Sequence, residues 1–454
     1  MAVDKENSMT YKRSYSVIFM IFYLVQGLHN GIWGTVLSFY LIVNIRQFDE
    51  ALLFLVTALT ILPWSLKFFI GMINDKYQIS EKFGRRFPFI CIFGTFGGIW
   101  WIIMGFYLPL EISLIYIFLM IYGLLINIGL AIADTAIDGL ILDVTPKDKL
   151  GHVQGWTFGM LLFGYMAGGY ILGISFLLLS LPIPWLFIME GILMIVVCFT
   201  PYYVEEELIS SDKVYVWKKI KEILRLKENW KVFAFSTIDR IDGIIIGTFY
   251  GLLVWMSLGF ITLEGTTVTY LLSDQGMELY LVSFFFSILA VIGILLGSVI
   301  GGKLADKNRR RAVYIGHLLY IPWLVFAVFL TSLEGAIIGY ITFSFSNTVI
   351  LVANQTIRGD MSRKYPEMKA TYYAFTISAT NFGMMIGAII GGLIFIILAL
   401  SGINFLVIFF IIAILCAGIQ LLSFWVFMTI DPAEYEFERH LKKSTAKGLK
   451  KVKS

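Results

Sequence analysis

Long apolar runs recur along the whole chain and restrict its fold more than any other feature does. We count twelve, and each is long enough to cross a bilayer core, which takes roughly 20 apolar residues. Because lipid offers the backbone no hydrogen-bonding partners and the runs do not alternate with polar residues, they predict helices. The expected spans are 15–44, 50–72, 88–108, 112–142, 152–179, 182–203, 231–262, 276–301, 312–331, 335–358, 371–400 and 402–429.

The distribution of positive charge predicts the orientation in the membrane. Only 15% of the residues are charged, and of the 35 lysines and arginines all but Arg46, Lys67, Arg240 and Arg358 lie in the N-terminus, the even-numbered loops or the C-terminal tail. Positive loops stay in the cytoplasm. We therefore expect both termini to be cytoplasmic, with the chain in the plasma membrane.

A polar interval in the middle of the chain separates six spans from six. It predicts a six-helix bundle over 1–204, a cytoplasmic linker over 205–230, a second six-helix bundle over 231–430 and a basic cytoplasmic tail over 431–454. The linker contains an amphipathic helical pattern, which fits either a helix on the inner leaflet or a solvated linker helix. Its apolar face comprises Val216, Trp217, Ile220, Ile223 and Leu224.

The two halves repeat a charged pattern after their second and fourth spans. In the first half it comprises Gly71, Asp75, Arg85, Arg86 and Asp143. In the second half it comprises Gly302, Asp306, Arg309, Arg310 and Asp360. Weak internal symmetry of this kind is typical of duplicated transporter folds. Small-residue spacing in spans 5 and 11 predicts close helix packing at Gly164, Gly168, Gly383, Gly387 and Gly391.

The segment "GKLADKNRRR" at 302–311 resembles the loop signature of the major facilitator superfamily, and a longer copy follows span 2. The form "FGRRFPFI" is similar to the glycoside and sucrose cation symporters, whereas "PWSLKFFIG" and "ADTAIDGLILDVTP" are similar to muropeptide permeases and acetyl-CoA transporters. Light-harvesting-complex assembly factors are a further relative. The resemblance implies two pseudo-symmetric six-helix bundles and a carrier for a small organic solute, a sugar, glycoside or related conjugate.

The repeated motifs predict a cytoplasmic gate. Their aspartates end spans at the inner face, and the arginines between them can bridge such carboxylates with bidentate bonds. Exposed pairs contribute only about 0–1 kcal/mol each, a suitable strength for a contact that opens during transport. The other interpretation is a purely topological role for the charges.

Ionisable residues deep in a span are costly and usually functional. The candidates for substrate or ion binding combine charged and neutral polar side chains from spans 1, 2, 4, 7 and 10. The charged ones are Lys67, Asp134, Asp138, Asp239, Arg240 and Asp242, and the neutral ones are Gln26, His29, Asn30, Asn354 and Gln355. Deep acids, Glu190 included, outnumber deep bases, so some carboxyls must be protonated, hydrated or bound to a cation.

The excess of acids favours proton-coupled symport, although sodium coupling and uncoupled transport remain open. A non-transporting assembly factor or receptor on the same fold is the alternative. We expect no enzymatic activity, no cofactor and no metal site, because the chain lacks a phosphate-binding loop and its three cysteines lack metal-ligand spacing. The expected partners are a small solute, a proton or sodium ion and the bilayer. We expect no binding to nucleic acid, and we expect the protein to be a monomer.

Overall fold

The computed structural model describes residues 11–80, 82–145, 147–206, 216–271, 277–362, 364–365 and 369–436. Within these ranges the chain forms seventeen α-helices and three short strands. The helices up to the linker are α1 (Arg13–Gly31), α2 (Ser38–Ile45), α3 (Glu50–Ser65), α4 (Lys67–Lys76), α5 (Phe87–Phe106), α6 (Ile112–Val144), α7 (Lys147–Met166), α8 (Gly173–Leu178), α9 (Pro184–Cys198) and α10 (Val216–Arg225).

The remaining helices follow the linker, and the strands lie in two loops. The helices are α11 (Lys227–Ile238), α12 (Ile241–Ser257), α13 (Met277–Lys307), α14 (Arg309–Phe326), α15 (Leu333–Ser362), α16 (Lys369–Leu400) and α17 (Phe405–Met428). The strands are β1 (Gln47–Asp49), β2 (Ile261–Glu264) and β3 (Thr267–Tyr270). Short π-helical segments join α1 to α2 at Ile32–Leu37 and α7 to α8 at Ala167–Leu172.

The predicted all-α membrane fold is confirmed. In the described part of the chain, 10 helical stretches are long and apolar enough to cross a membrane. The fifth predicted span contributes a shorter apolar helix, Gly159–Leu172. The seventh is divided between α11 and α12, which are each too short to reach the same length.

The chain forms two compact units, and the described residues of Met1–Ile45 and Leu66–Val216 make up the first. Its main helix pairs are α1 with α7, α5 with α9, and α5 with α6. The second unit comprises Arg46–Ser65 and Trp217–Ser454, again in their described residues, and is built on the pairs α13 with α15 and α3 with α16. The domain boundaries expected from the sequence stay predictions.

Glycines bring helices together in both units, as their spacing predicts. In the first unit, a Cβ at Gly164 would overlap the carbonyl oxygen of Leu24, because α1 and α7 touch backbone to backbone. In the second unit, a Cβ at Gly383 would overlap the carbonyl oxygen of Thr237. Four residues further along α16, the same holds for Gly387 and the carbonyl of Ile241. The glycines at these positions thus have a packing role.

Two predicted spans are interrupted between their ends, each beside a charged residue. The second span breaks at Leu66, whose φ of −95° and ψ of 7° leave the helical range, directly before Lys67. The seventh breaks at Arg240, with φ of −114° and ψ of 0°. A break leaves backbone N–H and C=O groups without their helical hydrogen bonds, so these groups must find partners on neighbouring helices.

Two features of the loops were not expected from the sequence in this form. The strands form an antiparallel sheet in the order β1-β3-β2, with a tight connection at Gly265, whose φ of 62° suits glycine. In the linker helix α10, Ile220 and Ile223 are buried against protein. The side chains of Val216 and Trp217 lie outside the described residues, so contact of this helix with lipid stays a prediction.

Candidate functional site

A buried cluster of charges lies in the first unit, where α4 faces α6. The ammonium of Lys67 bonds the Oδ2 atom of Asp134 and lies 3.2 Å from Oδ2 of Asp138. The hydroxyl of Tyr23, on α1, donates to Oδ1 of Asp138 at 2.5 Å. The i,i+4 spacing of the aspartates places both on one face of α6, as the sequence predicts. One lysine therefore neutralises two carboxylates only in part.

Accessibility distinguishes the two aspartates. The side chains of Lys67 and Asp134 are 4% and 5% exposed, whereas that of Asp138 is 37% exposed. The second oxygen of Asp134 and the amide oxygen of Gln26 are buried without a hydrogen-bond partner in the described part of the chain. Unsatisfied buried acceptors are costly. The cluster can therefore accept a further donor, whether a proton, a hydroxyl group or a cation.

His29 lies in an aromatic group on the same unit. Its Nδ1 accepts a hydrogen bond of 2.9 Å from the indole Nε1 of Trp101, and its ring stacks on Trp33. Because a nitrogen that accepts carries no proton, this contact fixes the neutral tautomer with the proton on Nε2. The geometry suits a packing histidine. Its neighbour Asn30 is half-buried, and its side chain makes no hydrogen bond among the described residues.

The second charged cluster surrounds the break between α11 and α12. Arg240 pairs with Oδ2 of the preceding Asp239 at 2.9 Å and donates to Oδ1 of Asn347 at 2.8 Å. The amide of Asn354 donates to the same Asp239 oxygen at 3.1 Å. The other oxygen of Asp239 is buried without a partner in the described residues. Gln355, next to Asn354, is half-buried, and its side chain makes no hydrogen bond among the described residues.

Asp242 is held by neutral donors. The hydroxyl of Tyr320 donates to one of its oxygens at 2.7 Å, and Nε2 of Gln420 donates to the other at 2.6 Å. The same amide reaches the backbone carbonyl of Asp239 at 3.2 Å, one of the groups near the helix break. Gln420 thereby ties α17 to both acids of the segment. No cation lies within ion-pairing distance of Asp242 among the described residues.

In the first unit, the predicted gate joins the start of α5 to the end of α6. Arg85 and Arg86 both contact Oδ2 of Asp143 at 3.1 Å. Glu206, just beyond the sixth span, accepts hydrogen bonds from the backbone N–H groups of both arginines. Burial raises the pKa of Glu206 above 4.5, although these backbone bonds act in the opposite direction. Gly71 is buried on α4.

The second unit repeats this arrangement with equivalent residues. The Nε atom of Arg309 lies 2.9 Å from Oδ2 of Asp360. The backbone N–H of Arg310 donates to Glu436, which follows the last span as Glu206 follows the sixth. Gly302 is half-buried, and a Cβ at this position would meet no atom of the described residues within 4 Å. The internal repeat is thus present in three dimensions at the ends of the helices.

Two predicted gate residues, Asp75 and Asp306, have side chains outside the described residues. Several side chains that complete the clusters were missed in the sequence, namely Tyr23, Glu206, Tyr320, Gln420 and Glu436. Gln420 could have been found from the sequence, because it is the one amide side chain within the apolar helix α17. The tyrosines had none, because tyrosine is common in the spans of this chain. The roles of all these residues stay predictions.

Comparison with known families decides the relationship. The sequence profile described as Major Facilitator Superfamily matches residues 15–388. The chain belongs to the Major Facilitator Superfamily. The superfamily fold is also seen in the crystal structure of a D-xylose-proton symporter, which superposes with a TM-score of 0.63 at 14% identity over 90% of this chain and 97% of that one. This agreement at low identity concerns the fold alone.

Two curated relatives are more similar in sequence over shorter stretches. One is a probable folate-biopterin transporter 4 of Arabidopsis thaliana, 26% identical over 195 residues, which are 42% of this chain and 38% of that protein. Another is a putative transporter, AmpG 1, of Rickettsia felis, 28% identical over 172 residues, or 37% and 36% of the two chains. The matches thus cover little more than a third of each relative. The protein is a multi-pass membrane protein of this superfamily.

Proposed function

We propose that the protein is a secondary active transporter that moves a small organic solute by alternating access, coupled to proton symport. The proposed solute is a sugar, a glycoside or a related conjugate. The names of the relatives support transport as the general activity, since both are called transporters. They do not favour an assembly factor or receptor on the same fold.

The observation that carries the proposal is the position of the charges at the two helix breaks. Lys67 with Asp134, and Arg240 with Asp239, are buried ion pairs next to interrupted spans. Discontinuous membrane helices form the binding sites of many transporters, because their free backbone groups and end dipoles contact the ligand. We therefore propose each cluster as a binding site within its own unit, and Gln26, His29, Asn30, Asn354 and Gln355 stay candidates among the neutral residues.

The first cluster is the proposed site of proton binding. Asp138 is partly exposed and shares Lys67 with the buried Asp134. A proton on Asp138 would leave Lys67 wholly to Asp134 and remove one of two like charges from the site. Solute binding and protonation could then reinforce each other, as symport requires. Sodium would use the same oxygens and is the second candidate ion.

The arginine–aspartate networks are proposed to act as the cytoplasmic gate. In each unit an arginine bridges the start of one helix to an aspartate at the end of another, at Arg86–Asp143 and Arg309–Asp360. The carboxylates are partly exposed, so water can compete for these bonds when the gate opens. Cytoplasmic termini, a plasma-membrane location and a monomeric state complete the proposal.

Uptake by the purified protein in proteoliposomes tests the proposed function. Ligands would first be selected by thermal stabilisation with D-xylose, sucrose, uridine, N-acetylglucosamine and folate, with or without sodium. The selected radiolabelled ligand is then offered with an inward proton gradient, an inward sodium gradient or neither. Asp138→Asn is the test variant, and Asp431→Asn, a solvent-exposed acid at the end of the last span, is the control.

The proposal predicts accumulation above equilibrium with the proton gradient only. Asp138→Asn should abolish accumulation but retain exchange of labelled for unlabelled solute, whereas Asp431→Asn should behave like the wild type. Accumulation driven by the sodium gradient would show that sodium, and not the proton, is the coupling ion. A ligand that binds but is never accumulated or exchanged would refute transport.

A further inference from the structure

Arg358 is a buried cation that neither the gate nor the charged clusters account for. It lies on α15, four residues before the helix ends at Ser362, and is only 3% exposed. Its Nη1 atom lies 2.6 Å from the hydroxyl oxygen of Thr380 and 3.5 Å from the carbonyl oxygen of Thr376, both on α16. The guanidinium is thus held against the neighbouring helix.

The side chain of Arg358 extends toward the middle of the span. Thr380 is eleven residues from the start of α16 at Lys369, about 16 Å along the helix, whereas Arg358 is about 6 Å from the end of α15. Because only residues 363–368 connect the two helices, these ends lie on the same side. Arginines near helix ends normally extend to the membrane surface. This one points away from it.

In the described part of the chain this guanidinium has no counter-ion. Among the described residues, no carboxylate lies within 4.0 Å of Arg358, and its Nε is buried without a hydrogen-bond partner. Asp239 and Arg240 are close enough for electrostatic interaction, but they form an ion pair with each other. Asp242 is bound by Tyr320 and Gln420 instead.

An arginine in this position cannot avoid the free-energy cost of a buried charge by losing its proton, because the guanidinium stays protonated in proteins. A buried, unpaired charge is strongly unfavourable unless a partner arrives. Thr380 keeps the head group oriented, since its hydroxyl accepts from Arg358 and donates to the carbonyl of Thr376 at 3.0 Å. The site is therefore preorganised and has an unused donor at Nε.

We infer that Arg358 binds an anionic group of the transported solute, a carboxylate or a phosphate ester, through Nε and one terminal nitrogen. The planar fork of arginine matches both anions with two parallel hydrogen bonds. Thr380 is a positioning residue for this fork. The inference rests on the proposed transport function and restricts it to acidic solutes, such as sugar acids and sugar phosphates.

Matched neutral and anionic ligands test the inference. The full-length protein in detergent would be titrated with D-glucose, D-gluconate and glucose 6-phosphate, and with uridine and uridine monophosphate, by calorimetry and thermal stabilisation. The carboxylate and phosphate arms distinguish the two anions. The variants are Arg358→Gln, Arg358→Lys and Thr380→Ala, and the control is Arg311→Gln, an exposed arginine at the start of α14.

We expect at least one anion to bind the wild type about tenfold or more tightly than its neutral partner. Arg358→Gln should abolish this preference, Arg358→Lys should reduce it because the fork is lost, Thr380→Ala should weaken it, and Arg311→Gln should retain it. If Arg358→Gln does not fold, the anion preference of Arg358→Lys and Thr380→Ala tests the inference. Equal affinity for neutral and anionic ligands, no anion-specific stabilisation across the panel, or unchanged anion binding by the variants overturns the inference.

Uptake in proteoliposomes separates this inference from the proposed function. Anion-dependent binding without uptake would leave the Arg358 site intact and refute transport. Uptake of a neutral ligand that Arg358→Gln leaves unchanged would support transport and refute the anion site.

Discussion

Replacing Lys67 with methionine removes the positive charge from the first cluster while keeping a long, apolar side chain. The ammonium contacts Asp134 and Asp138, and Asp134 is buried with it. After the substitution Asp134 lacks its cation in a place where water cannot replace it. Asp138 is partly exposed and can be hydrated, so most of the effect falls on Asp134.

The expected loss follows from this difference in burial. Removing one partner of a buried ion pair typically costs about 3–5 kcal/mol, because the other charge is left uncompensated. Replacing both partners removes that penalty. Lys67→Met with Asp134→Asn should therefore recover most of the loss, to within about 1 kcal/mol of the wild type.

Equilibrium unfolding in mixed micelles measures the free energy of unfolding of the four proteins in this double-mutant cycle. The matched control is Lys12→Met, whose partner Glu205 lies 2.6 Å away in a pair that is 50% and 68% exposed. Since solvent screens that pair, the control should show no measurable change.

A loss below about 1 kcal/mol for Lys67→Met would show that the ion pair is not desolvated as described. Additive effects of the two substitutions would show that Lys67 and Asp134 do not interact. Either result would refute the reasoning on the first cluster.

The remaining predictions concern single sites outside that pair. Glu206→Ala should lower the unfolding free energy by about 1–3 kcal/mol, because two backbone donors lose their acceptor. Burial raises the pKa of Glu206, so the folded protein binds the proton more tightly than the unfolded chain. Relative to a non-titrating Glu206→Gln variant, the wild type should therefore lose stability as the pH rises above 4.5. A difference in unfolding free energy that does not change with pH would contradict this. Gly383→Val should prevent folding or cost more than about 3 kcal/mol, since its side chain would overlap the Thr237 carbonyl, whereas Gly302→Ala, with open space, should be tolerated in the same expression and gel-filtration assay. Glu190→Gln should change the stability by less than about 1 kcal/mol, because both carboxyl oxygens are buried without partners in the described part of the chain and an uncharged amide fits such a site; a large destabilisation measured by thermal unfolding would indicate a functional ion at Glu190.

Much of the fold follows from the sequence because membrane spans have a simple physical requirement. Continuous apolar runs of sufficient length must be helical in lipid, and ten of the predicted twelve correspond to helical stretches of the described chain that are long and apolar enough to cross a membrane. Motif repetition also predicted arginines that bridge aspartates at span ends, and the structure pairs Arg86 with Asp143 and Arg309 with Asp360. Their role as a gate stays a prediction. The i,i+4 spacing put Asp134 and Asp138 on one face.

The contacts between distant helices could not be predicted in the same way. Periodicity gives the face of a helix on which a residue lies, but the partner depends on the rotation and tilt of another helix. The pairing of Lys67 with Asp134 rather than with Asp239 is of this kind. The break at Arg240 was equally hidden, since no proline or glycine lies at that position and the charges themselves are the only signal.

The second break has a mechanical consequence through α16. Gly383 touches α11 at Thr237 and Gly387 touches α12 at Ile241, so one continuous helix bridges both sides of the interruption. The angle between α11 and α12 therefore cannot change unless α16 bends as well or one glycine contact separates. Bending of the seventh span and displacement of α16 are one motion, and substitutions at either glycine should alter both together.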